Sequence, residues 1–140
     1  MINYDKLYNS VYLAIKKIKI LFIESFGILY IKIYLFFLFF LNFIIWIIAY
    51  NLYNNIGRDQ MILHYSINFG VNLYGDAKKI FIIPLIGLII IIVNFFLLIL
   101  IGEYNEKDKN FISHILLVSA ILVNIILFLS IIIIKLVNFR

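Results

Sequence analysis

The stretch Met61-Ile-Leu-His64-Tyr65-Ser66-Ile-Asn-Phe-Gly70-Val-Asn72-Leu-Tyr74-Gly75-Asp76-Ala-Lys78-Lys79-Ile-Phe-Ile-Ile-Pro84 decides the fold. It is the long segment of mixed polarity in a chain that otherwise reads as membrane. It divides the apolar sequence into one span before it and two after it. Leu63, Tyr65 and Ile67 alternate with His64 and Ser66, the period of a half-buried strand. Asn68-Phe69-Gly70 supplies a turn, because Gly accepts positive φ and Asn tolerates it. Val71 to Tyr74 returns as a second short strand, and Gly75-Asp76 leads into a helix. A lone hairpin is marginal in water. It must lean on the membrane surface or on the ends of the spans.

The composition around this stretch bounds the class. Hydrophobic residues make up 66% of the 140, against ~45–50% in soluble domains. Only 14% are charged and the mean hydropathy is +1.13, which argues against a water-soluble globule. The absence of cysteine removes disulfides, thiolate metal sites and cysteine nucleophiles together. Ile, Asn, Lys, Phe and Tyr are heavily used and Ala is scarce, the bias an AT-rich genome produces. The net charge of +5 is spread over ends and loops. A nucleic-acid surface needs a clustered basic patch, so no nucleic-acid partner is expected.

Outward from the central stretch, Ile28–Tyr50 precedes it as the first span, and Ile80–Ile101 follows as the second. Residues 111–134 form the third. Each exceeds the ~20 residues needed to cross the hydrocarbon. Lys32 snorkels from the first turn of the first span, and Trp46 and Tyr50 mark the far interface. Pro84 lies in the first turn of the second span, where a missing N–H costs little. The short connection 102–110 makes the second and third spans antiparallel neighbours. Residues 1–27 read as an amphipathic helix, with Tyr4, Leu7, Tyr8, Val11, Ile15, Ile18 and Phe22 on one face and Asp5, Asn9, Lys16 and Lys17 opposite. This is the pattern of a helix lying in the headgroup region. No small-residue cleavage site follows it, so it does not read as a signal peptide.

The fold class expected is therefore all-α integral membrane: three spans behind an interfacial helix, with a hairpin-like loop at 51–79. Lys6, Lys16, Lys17, Lys19, Lys32, Lys107 and Lys109 fall on one side of the bilayer, and Arg58, Lys78, Lys79, Lys135 and Arg140 on the other. The positive-inside rule then puts the N-terminus in the cytoplasm and the loop outside a cell membrane.

Within the loop, His64-Tyr65 leads to Gly70, then Asn72, Tyr74-Gly75, Lys78 and Pro84 inside the next span. This pattern resembles a small bacterial membrane module found at the N-terminus of Sdp-type immunity and signalling membrane proteins and as a stand-alone domain of unknown function. The eight residues match position by position. Leu63 or Ile62 stands where that module usually has proline, and Ser66 where it usually has Asn. The resemblance covers residues 28–101 best and the third span loosely. It implies fold and topology rather than a reaction, since the module has no established activity.

Candidate chemistry is sparse. His64 has only Asp59 and Asp76 near it in the loop, short of the three or four ligands a metal site needs. Its ordinary pKa near ~6.5 suits a pH sensor, and a structural bond to loop backbone is the plainer reading. His114 stands at the start of the third span, suited to a helix-end contact. Glu103, Glu106 and Asp108 read as a charged turn. Asn42, Asn94 and Asn124 place one amide in each span, and membrane amides seek interhelical bonds of ~0.6 kcal/mol, up to ~1.7. At 1.5 Å rise they lie about 12, 21 and 15 Å from the outer end, so Asn124 reaches Asn42 more readily than Asn94. A transport path wants ionisable groups at midplane, and the spans have none. No catalytic residue, cofactor or metal is expected. The expected role is a non-enzymatic interaction, accessory or immunity-type membrane factor presenting loop 51–79, with the lipid bilayer and another membrane protein as partners. The alternative is a protein handling lipid or a small ligand where the hairpin meets the spans.

Overall fold

Three helices carry their buried residues alternately three and four positions apart. On helix α2 (Leu29–Ile56) these are Ile31, Leu35, Leu38, Asn42, Ile45, Ala49 and Leu52. On helix α3 (Ile82–Leu100) they include Pro84, Gly87, Ile91 and Leu98. On helix α4 (Glu106–Asn138) they include Ser113, Leu117, Ala120, Asn124 and Ile131. A seam repeating every 3.5 residues keeps neighbouring helices in register along their length, and α2, α3 and α4 pack pairwise through it. The computed structural model describes residues 4–56, 60–66, 70–101 and 106–139. Helix α1 (Tyr4–Gly27) precedes the bundle, and strands β1 (Gln60–Ser66) and β2 (Gly70–Asp76) with a 3-10 turn (Ala77–Phe81) link α2 to α3.

The outside of the bundle is as apolar as its seam. Phe36 is 74% exposed and Ile126 64%, and Phe43, Ile89 and Leu122 are exposed as well. A soluble protein rarely leaves such a continuous apolar surface. Leu29–Ile56, Ala77–Leu100 and Asp108–Asn138 are each long and apolar enough to cross a membrane. The all-α class with three membrane-length helices holds, and a two-stranded hairpin interrupts it.

The helices outrun the spans read from hydropathy. Helix α2 continues through Ile56, so residues 51–56 belong to it rather than to the loop. Hydropathy measures what dissolves in lipid, whereas this last turn is fixed by protein: Leu52 is buried, and the Tyr53 ring lies 5.5 Å from that of Phe81. Helix α4 starts at Glu106, ahead of Phe111, and ends at Asn138, beyond Ile134. Asp108 in its first turn suits the positive end of the helix dipole, and Asn138 is held by the hairpin.

The buried seam divides into two apolar clusters. Ile31, Leu35, Leu38, Ile91, Leu98, Leu117 and Ala120 form one. Ile45, Ala49, Leu52, Ile131, Ala77 and Ile80 form the other, together with Met61 of β1. Between them along the helices stand Asn42 and Asn124. Helix α1 touches this body only near its C-terminal end. Every described side chain from Tyr8 to Ile20 is exposed, while Ser25 is fully buried. The rings of Phe22 and Phe26 meet Phe95 of α3 edge-on at 5.6 and 5.7 Å.

Candidate interaction site

The hairpin is antiparallel. Gln60 pairs with Asp76, Met61 with Gly75, Ile62 with Tyr74, His64 with Leu73, Tyr65 with Val71 and Ser66 with Gly70. Two register shifts flank His64, leaving Leu63 on β1 and Asn72 on β2 outside the Cα pairing. Such irregularities bend and twist a ribbon locally, and they break the simple alternation read from Leu63 to Ile67. Of the turn placed at Asn68-Phe69-Gly70, residues 68 and 69 lie outside the described residues, and Gly70 is already the first residue of β2, paired with Ser66. The side chains of His64, Tyr65, Asn72 and Tyr74 also lie outside them, and their backbones alone are placed. Gly70 and Gly75 are both ladder residues, and the entry to the next helix comes one residue after Gly75. There Asp76 caps the 3-10 turn, its Oδ1 accepting from the Lys78 backbone N–H at 2.9 Å. Lys78 and Lys79 are exposed.

What fastens the hairpin is a residue that sequence reasoning missed. The Asn138 amide, in the last turn of α4, makes two bonds to one strand residue. Its Oδ1 accepts from the Ile62 N–H at 2.9 Å, and its Nδ2 donates to the Ile62 carbonyl at 2.8 Å. The same Nδ2 donates to the Ile134 carbonyl at 2.8 Å. A side-chain amide here occupies the place of a third strand, closing the outer edge of β1 at Ile62. Beside it Met61 is fully buried among residues of α2, α4 and the 3-10 turn, and burying such a side chain is worth about 1.5–3 kcal/mol. The hairpin therefore leans on the ends of the spans. A signal was present: Leu117, Asn124, Ile131 and Asn138 recur every seventh residue, so Asn138, part-buried, falls on the seam face of α4.

Deeper in the bundle, Asn42 Nδ2 donates to the Pro84 carbonyl at 3.0 Å and to Asn124 Oδ1 at 3.4 Å. Asn124 Nδ2 donates to the Ala120 carbonyl at 3.0 Å. Asn94 does not join them, since its Nδ2 donates within α3 to the Ile90 carbonyl at 2.9 Å. The two amides meet because Gly87 leaves them room. A Cβ there would lie 2.5 Å from Asn42 Nδ2 and 2.7 Å from Asn124 Oδ1. Small residues let membrane helices approach closely, and the lone Gly in the apolar run of α3 was the available sign. Buried Pro84 thus serves as acceptor as well as helix start.

At the opposite end, His114 stacks on the Tyr30 ring at 4.6 Å, and its Nδ1 lies 3.3 Å from the Tyr34 hydroxyl. Tyr30 donates to Asn110 Oδ1 at 3.1 Å. The hydroxyls of Ser25 and Ser113 are buried with no hydrogen-bond partner among the described residues. Among those residues no three His, Asp or Glu side chains gather. The arrangement is suited to holding a two-stranded ribbon firmly on three helix ends. Comparison with protein-family models, with characterised proteins and with solved structures found no match.

Proposed function

We infer that this chain is a non-enzymatic membrane protein of interaction, accessory or immunity type, and that its working part is the hairpin held between α2 and α3. The observation that carries this reading is the pair of hydrogen bonds between Asn138 and Ile62, joined to the full burial of Met61. A ribbon fixed at its base keeps its shape without a partner, so a partner does not meet the entropy of ordering it. The resemblance to the N-terminal module of Sdp-type immunity and signalling proteins, carried by His64, Tyr65, Gly70, Asn72, Tyr74, Gly75, Lys78 and Pro84, points the same way.

The proposed setting is a bacterial cell membrane, with the N-terminus cytoplasmic and the hairpin outside. In support, the hairpin lies at the α4 end carrying Lys135 and Asn138, while Lys32 and Lys109 stand at the other end of the bundle. The excess of lysine ahead of α2 orients it by the positive-inside rule. Helix α1 is proposed to lie in the headgroup region, with Val11, Ile15, Ile18 and Phe22, all exposed, turned to the acyl chains. Ser66→Cys should react with an impermeant thiol reagent in intact cells while Ser10→Cys does not, and the reverse result inverts the orientation. A photo-crosslinking residue at position 66 should give a discrete adduct with a second protein that position 126 does not give. Equal adducts from both, or none from 66, remove the interaction reading.

A second reading, handling of lipid or a small ligand near the hairpin, has one observation in its favour. A cavity of about 450 Å³ lies against the end of α4, lined by Ile133, Lys135, Leu136, Val137 and Phe139. A lipid lost on Lys135→Gln, with crosslinking from position 66 absent, would favour it.

A further inference from the structure

At the end of the bundle away from the hairpin, α1, α2 and α3 enclose a groove of about 200 Å³ lined by Phe26, Leu35, Phe39, Ile91, Ile92 and Phe95. Every lining side chain among the described residues is apolar. Leu35 and Ile91 are buried and make its floor, while Phe26, Phe39 and Ile92 are exposed and make its rim. The Phe95 wall is braced edge-on by Phe22 and Phe26. The volume falls below the ~300–1,000 Å³ of sites that take a whole small molecule, so it suits a slender apolar chain. Two of its walls belong to helices long and apolar enough to cross a membrane, which opens the groove toward hydrocarbon. Lys32 is exposed on α2 and stands three residues before Leu35 and seven before Phe39. That spacing returns to one helix face, about 10 Å nearer the helix start than Phe39. A long cationic side chain there reaches the headgroup level.

We propose that this groove seats one acyl chain of an anionic phospholipid, with Lys32 meeting its headgroup. The assignment needs nothing from the hairpin or from the orientation of the chain in the membrane. An apolar groove alone accepts any lipid; the lysine on the same face selects for a negative head.

The test is native mass spectrometry of the purified full chain in detergent, titrated with phosphatidylglycerol or with phosphatidylcholine of identical acyl chains. The parent should retain phosphatidylglycerol at least fivefold better. Ile92→Trp, which fills the groove from its rim, should lower that retention at least fivefold, and Phe43→Trp, exposed elsewhere on α2, should leave it unchanged. Lys32→Gln should equalise the two lipids. Equal retention by the parent, or full retention by Ile92→Trp, overturns the site, and a preference that survives Lys32→Gln overturns the headgroup contact. Should Ile92→Trp fail to fold, a phosphatidylglycerol with a photoreactive acyl chain decides on the parent alone. Adducts confined to the six lining residues support the site, and adducts spread evenly over Phe36, Phe43 and Ile126 overturn it.

Discussion

The hairpin and helix α1 both pack on the helix bundle, the first against α2 and α4 and the second against α2 and α3, and they are held by opposite means. The hairpin is fastened by protein: Met61 is buried in the core, Asn138 grips Ile62, and Trp46 and Tyr53 close on Phe81. The side chains of helix α1 from Tyr8 to Ile20 are exposed, its ring contacts with the bundle among the described residues come from Phe22 and Phe26, and the Ser25 hydroxyl is buried with no hydrogen-bond partner among those residues. An unmatched buried hydroxyl costs about 1–3 kcal/mol. The difference teaches where each element's order originates. The hairpin is held by contacts along its base, whereas α1 meets the bundle only near its C-terminal end.

The contrast can be broken from the hairpin side first. Met61→Ala empties a fully buried position, and such truncations cost about 2–5 kcal/mol. Thermal unfolding in detergent should show the loss, with faster amide exchange in β1 and β2 than in α1. Asn138→Leu removes the grip and leaves the Ile62 N–H and carbonyl unmatched, at about 1–3 kcal/mol. Limited proteolysis should then cut within 57–76 while α2 to α4 stay intact. A hairpin as resistant as the parent's would mean that apolar docking alone holds it. From the α1 side, replacement of Lys16 or Lys19, both exposed, by Gln should change fold stability by less than about 0.5 kcal/mol each. A peptide of residues 1–27 should become helical on acidic vesicles and lose that response when Lys16, Lys17 and Lys19 become Gln, each lysine contributing about 1 kcal/mol near an anionic surface. Equal helicity on acidic and neutral vesicles would remove the interfacial account of α1.

Much of this architecture was legible before any coordinates, for reasons that differ by element. The spans announce themselves because hydrocarbon demands long apolar runs; two strands were readable in the loop, but the simple alternation at 63–67 is broken by the register shifts beside His64. Helix ends were less legible. Residues 51–56 are polar enough to read as loop, yet Leu52 and Tyr53 are fixed by contacts that hydropathy does not see. The amides at 42, 94 and 124 could be placed in depth, but which of them meet depends on the room left by Gly87. Asn138 was hidden differently. Its seven-residue spacing from Ile131 places it on the seam face of α4, and the hairpin folding back onto it supplies the partner.

Helix α4 carries asparagines at 110, 124 and 138, fourteen residues or about 21 Å apart, and each is bonded outside its own helix: to Tyr30, to Asn42 and to Ile62. A slide of α4 by one turn, about 5.4 Å, would bring Ala120, Ile121, Leu127 or Phe128 to the middle station. Ile134 or Lys135 would face Ile62, and neither side chain can accept its N–H. The helix is keyed to its neighbours like a rod pinned at both ends and at mid-length. A one-turn piston shift of α4 would therefore break all three bonds together.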